Sequence, residues 1–119
     1  MGETGEYEVT DADTAVALGS GDVPVLGTPR LIAWLEAATV RAAQPFTGPG
    51  RTTVGTAVRL RHLRATPVGG RVTVSAEPAP DASGGRLTFA VRAVDGSGAP
   101  VAEGEIDRAV VDREAFLAG

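Results

Sequence analysis

TPRLIAWLEAATVRAAQ, residues 28–44, is the stretch that decides how this chain folds. Threonine followed by proline reads as a helix start: the hydroxyl can accept from an otherwise unpaired backbone N–H, and Pro29 at the first helical position loses nothing by lacking one. Pro45 reads as the stop. At about 100° per residue, Leu31, Leu35, Ala38 and Ala42 stack on one side, while Arg30, Ala37, Arg41 and Gln44 fall on roughly the opposite side. Glu36 belongs to neither face. Its neighbours one turn away are Ile32, Ala33, Thr39 and Val40, so no Lys or Arg stands at the spacing where helical ion pairs form. Such a carboxylate is either a solvated helix residue or one kept for another purpose.

Outward from this helix the chain reads mostly as strands. Upstream, residues 7–10 suit a short first strand, and the Gly/Asp/Pro-rich residues 19–27 read as a loop. That loop carries Val23, Val25 and Leu26, which either pack against the helix or form a lid over a pocket. Downstream, TGPGR at residues 47–51 is a turn, and residues 52–64 alternate as a long strand. Strict alternation puts Val54, Thr56, Val58, Leu60 and His62 on one face, with Gly55, Ala57, Arg59 and Arg61 on the other. Three more strands follow at residues 71–77, 87–95 and 101–111, joined by turns at 66–70, 81–85 and 96–98. The last places Arg108 on the same parity as Ala102, Ile106 and Val110, so it either sits at a bulge or has a use inside.

One strand, one helix and four strands on short connections predict an α+β domain: a long central helix wrapped by an antiparallel sheet of about five strands. A helix of about 16 residues is roughly 24 Å long, which strands of this length can curl around. That geometry is hotdog-like. An open sheet of this kind leaves edges that a second copy can pair with, so a homodimer is expected.

A length of 119 residues fits one domain spanning residues 1–119, with a core large enough to need no cross-links. The chain has no cysteine, which removes thiolate catalysis and Cys-based zinc sites and suits a reducing compartment. Residues 1–10 are acidic where a signal peptide would be basic, and no apolar run approaches the roughly 20 residues of a membrane span. A cytoplasmic protein without membrane contact is expected. The net charge is −4, which argues against nucleic acid as a partner. There is no Walker loop, GxGxxG or G-x-S-x-G motif and no metal-ligand cluster, so no cofactor or metal is expected. Arg59, Arg61 and Arg64 read as solvated strand residues, or as partners for the phosphates of a cofactor-like substrate.

The single histidine, His62, extends the apolar face of its strand. It is either a core histidine satisfied by hydrogen bonds or a member of a site. With Glu36 and Thr28 it supplies the parts of a hydrolytic site. A carboxylate can attack or activate water, an imidazole can carry the proton, and amides at a helix start can stabilise an oxyanion.

The pieces LGSGDVPVLGTP, WLEAATVRA, TVGTAVRLRHLRATPVG and EIDRAVVDREAF resemble, in this order, the hotdog thioesterases related to fluoroacetyl-CoA thioesterase. The resemblance runs from about Val9 to Phe116. It implies a catalytic set of a threonine at the helix start, a glutamate eight positions later and a histidine on the next strand, which Thr28, Glu36 and His62 match. It also implies a glycine beside the acyl group, matched by Gly55, and a late arginine, matched by Arg108, both as substrate-binding residues. The specialised enzyme has lid phenylalanines where this chain has Val23, Val25 and Leu26, and Ile106 replaces the family's histidine two places before the arginine. The expected function is hydrolysis of a small acyl-CoA or related acyl thioester in a groove of a homodimer, with Glu36 as nucleophile or base. The alternative is a non-catalytic hotdog module that binds acyl-CoA or a hydrophobic small molecule.

Overall fold

The computed structural model describes residues 2–80 and 85–119. In order these are β1 (Glu3–Glu8), a 3₁₀ turn (Asp11–Asp13), α1 (Ala15–Leu18), α2 (Thr28–Thr47), β2 (Arg51–His62), β3 (Arg71–Pro78), β4 (Arg86–Asp95), β5 (Pro100–Asp112) and α3 (Arg113–Ala118). The strands form one sheet in the order β1-β3-β4-β5-β2, every neighbouring pair antiparallel. The helix α2 touches all five strands. This is the α+β arrangement its residue pattern predicts.

Both ends of α2 differ from expectation. The cap residue is Gly27, not Thr28; no side chain caps the helix, and Thr28 is its first helical residue. Gly27 is needed because a Cβ there would stand 3.1 Å from the backbone of Ala15, where α1 closes over the helix start. At the other end Pro45 does not stop the helix. A proline removes only its own N–H bond, and in the last turn one missing bond is tolerated. Thr47 adds to that turn by donating its hydroxyl to the Ala43 carbonyl at 2.8 Å, and Gly48, with φ 79°, ends the helix.

The apolar stripe of α2, Leu31, Leu35, Ala38 and Ala42, is buried as expected, joined by Ala43. It packs on the inner face of the sheet, where Val72, Val74 and Ala76 of β3 and Leu87, Phe89, Val91 and Ala93 of β4 point inward. Full burial of Phe89, Leu31 and Leu35 contributes about 1.5–3 kcal/mol each. Three alanines and small strand residues let the helix approach the sheet closely.

The first strand lies earlier than residues 7–10, because Val9 leaves it to exchange backbone bonds with Gly69 and Gly70 at 2.8 and 2.9 Å. In the segment before α2, Leu26 is fully buried while Val23 remains exposed, so only part of that segment packs against the fold. Of the expected turn at 81–85, residues 81–84 lie outside the described residues. Among the described residues no helix is long and apolar enough to cross a membrane.

The decisive irregularity is in β2. Gly55 pairs with Arg108 and Ala57 with Asp107, leaving Thr56 as an extra residue in a β-bulge. A bulge inverts the alternation beyond it. Thr53 and Gly55 therefore point to α2 before the bulge, and Leu60 and His62 point inward after it. The expectation that Gly55 and His62 lie on opposite faces fails for this reason.

Candidate active site

The first half of the site stands at the start of α2. Thr28 Oγ1 and His62 Nδ1 share a hydrogen bond of 2.8 Å, the hydroxyl free for this because it caps nothing. His62 is half-buried, and burial holds its pKa below the ordinary 6.5 against a weaker upward pull from the Arg64 backbone. It is thus neutral at pH 7, with one ring nitrogen available to accept a proton. Its Nε2 is buried and has no hydrogen-bond partner among the described residues. A pocket of about 350 Å³ opens here, lined by Thr28, His62, Val25, Leu26 and Arg64 among others. Val25 and Leu26 thus border the site.

The second half lies two turns further along α2. Glu36, which has no ion-pair partner on its own helix, finds Arg108 across the fold, Nη1 donating to Oε2 at 3.3 Å. The Arg108 side chain is 7% exposed and that of Glu36 37%, so the cation is interior and the carboxylate reaches the surface. No bulge interrupts β5 at Arg108; it points inward in register with Gly55 and Leu87. Desolvation lowers its pKa, and Glu36 opposes that shift. Three further bonds hold the guanidinium: Nε donates to Thr53 Oγ1 at 2.9 Å, Nη2 to the Thr53 carbonyl at 3.1 Å, and Nη1 to Thr39 Oγ1 at 3.4 Å. Gly55 completes the cluster. A Cβ at that position would overlap Glu36 Oε2 and stand 3.4 Å from Arg108 Nη1, so only glycine leaves room for this carboxylate.

The five expected site residues therefore fall into two groups within one protomer, Thr28 with His62 and Glu36 with Arg108 and Gly55. Eight residues of helix separate Thr28 from Glu36 by about 12 Å. Of the three arginines suited to phosphates, Arg64 lines the His62 pocket, whereas Arg59 and Arg61 lie away from both groups. Arg59 is occupied by Glu105 and Asp107, at 3.1 and 2.9 Å, on the outer face of the sheet. There Asp107 is held below the usual carboxylate range by the Arg59 and Thr88 hydrogen bonds. A depression of about 820 Å³ also lies among these outer charges and touches neither group.

The model of the fluoroacetyl-CoA-specific thioesterase family matches residues 9–114. The chain belongs to this family. Over 94 residues it is 39% identical to the fluoroacetyl-CoA thioesterase of Streptantibioticus cattleyicolor, covering 79% of this chain and 66% of that protein's length. A solved structure of the fluoroacetyl-CoA thioesterase aligns at 33% identity with a TM-score of 0.89, covering 99% of this chain and 90% of that one. A hot-dog-like protein from Thermanaerovibrio acidaminovorans, 22% identical, shares the fold with a TM-score of 0.88 over 99% of this chain and 86% of its own. The fold is thus a hotdog fold, and the chain is a thioesterase of the acyl-CoA-hydrolysing kind.

For this thioesterase two residues beside the carboxylate escaped the sequence reading. Thr53 was hidden by the bulge, which reverses the face it occupies. Thr39 is fully buried beside the apolar stripe, and a buried threonine inside a helix is the one signal that points to it.

Proposed function

We propose that this protein is a cytoplasmic homodimer of one-domain chains that hydrolyses a small acyl-CoA or related acyl thioester, Glu36 of one protomer acting with Thr28 and His62 of its partner. Glu36 attacks the thioester carbonyl or activates water. The neutral His62 accepts and returns the proton, and Thr28 positions the substrate. One observation carries this reading: Glu36 and the unpartnered Nε2 of His62 are chemically complementary, yet each protomer holds them in separate groups.

A twofold axis removes that separation. Strand β2 lies at the sheet edge, and its register places Glu36 beside Gly55, seven residues from His62. Two copies of β2 paired antiparallel about Arg59, with the bulged Thr56 left out of the register, set Gly55 opposite the partner's His62. Val58 of β2, with Val40 and Leu63, is an exposed apolar residue and suits burial in such an interface. The pocket at the far end of α2, about 390 Å³ and lined by Val40 and Thr53, suits a short acyl group near Glu36. The absence of cysteine fits a reducing compartment.

Free-thiol release from fluoroacetyl-, acetyl-, aromatic and longer acyl-CoAs tests the reaction. Turnover is expected on the short members; binding without thiol release from any of them leaves a binding module. Purified heterodimers of Glu36→Gln with His62→Ala test the sharing. A composite site returns about half of wild-type activity, whereas sites contained within one protomer return none.

A further inference from the structure

We propose that Thr53 and Thr39 are positioning residues that hold Arg108 so that it engages one oxygen of Glu36 and leaves the other free to react. This rests on the role assigned to Glu36 above. Arg108 is buried, all its hydrogen bonds are made within the fold, and it lines neither pocket at the two ends of α2. It is therefore placed to orient Glu36.

The geometry of the guanidinium supports this division. An unrestrained arginine meets a carboxylate with two parallel N–H bonds, which would occupy both oxygens. Here Thr53 takes Nε and Nη2 with its hydroxyl and its carbonyl, at 2.9 and 3.1 Å, and so fixes the plane of the guanidinium. In that plane Nη1 is the nitrogen that meets Glu36, and it reaches Oε2 alone. Oε1 accepts no hydrogen bond from a described residue. Thr39 adds a second restraint. Its hydroxyl proton goes to the Glu36 carbonyl at 2.7 Å, so its oxygen meets Nη1 as an acceptor only. Without the threonine hydroxyls the guanidinium is free to rotate into the two-point pairing, and Glu36 loses its reactive oxygen.

Steady-state thiol release by Thr53→Val and Thr53→Ser on the best acyl-CoA tests this, with folding followed through Trp34, which stacks on Tyr7 at 4.3 Å. Valine keeps the shape and removes the hydroxyl. It is expected to lower kcat about tenfold or more with KM within about twofold, and serine to restore kcat to within about threefold of wild type. A valine variant with wild-type kcat, a loss confined to KM, or a serine variant as slow as valine each overturns the proposal. If Thr53→Val does not fold, Thr39→Val takes the same measurements and the same criteria. Glu36→Gln separates the two levels: full activity in that variant overturns the functional assignment itself. A dead Glu36→Gln beside a normal Thr53→Val overturns only the positioning role.

Discussion

The two groups on α2 are built on opposite principles. At the helix start, Thr28 and His62 share one hydrogen bond and the imidazole keeps a buried nitrogen without a partner among the described residues. Two turns on, Arg108 is held by four hydrogen bonds and Gly55 leaves no space to spare. An unfilled donor or acceptor costs free energy in the folded chain, and it persists where something else completes it. A saturated cluster fixes its members before substrate arrives, which lowers reorganisation during the reaction. The first group is thus a place to receive, and the second a place already set.

The hardest blow to this contrast is removal of its principal members. Glu36→Ala and His62→Ala are each expected to lower kcat/KM by about 10²- to 10⁴-fold, roughly 3 to 5 kcal/mol of barrier, in thiol release. Near-wild-type turnover in either would remove that residue from the chemistry. Gly55→Ala tests the crowded group alone. Its methyl displaces the Glu36 carboxylate, the movable end of a side chain, so kcat should fall by about 10- to 100-fold while chemical denaturation shifts by about 1 kcal/mol or less. Equal losses of stability and activity would show that the glycine serves folding.

A smaller effect concerns the open group. Because burial lowers the His62 pKa, the unfolded chain binds the proton more readily than the folded one below pH 6.5. Stability contributed by the neutral ring is present above that pH and is lost as pH falls towards the folded pKa. The kcat/KM profile should carry an acid limb below pH 6.5, absent from the residual activity of His62→Gln. The least effect is on stability at Thr28. It caps nothing, so Thr28→Ala should shift unfolding by less than about 0.5 kcal/mol, against about 1 kcal/mol for Thr14→Ala, whose hydroxyl accepts from the Ala17 N–H at 3.2 Å. A Thr28→Ala loss as large as that of Thr14→Ala would mark Thr28 as structural.

The residue pattern alone determined the central helix, four of the five strands, the inward parity of Arg108 and the three residue types of a hydrolytic site. Periodicity encodes which face a residue occupies, and local spacing carries that far. Resemblance supplied the roles. The pattern placed the first strand too late and the helix end too early, because Val9 answers to Gly69 and Gly70 and Thr47 to Ala43. It could not show that Gly27 rather than Thr28 caps α2, since that depends on α1 lying where a Cβ on Gly27 would stand 3.1 Å from the Ala15 backbone. Nor could it turn Gly55 and His62 to one side. That was decided by the pairing of β2 with β5, where one extra residue at Thr56 inverts the strand. A bulge depends on the partner strand's register, and only the tertiary structure holds both strands at once.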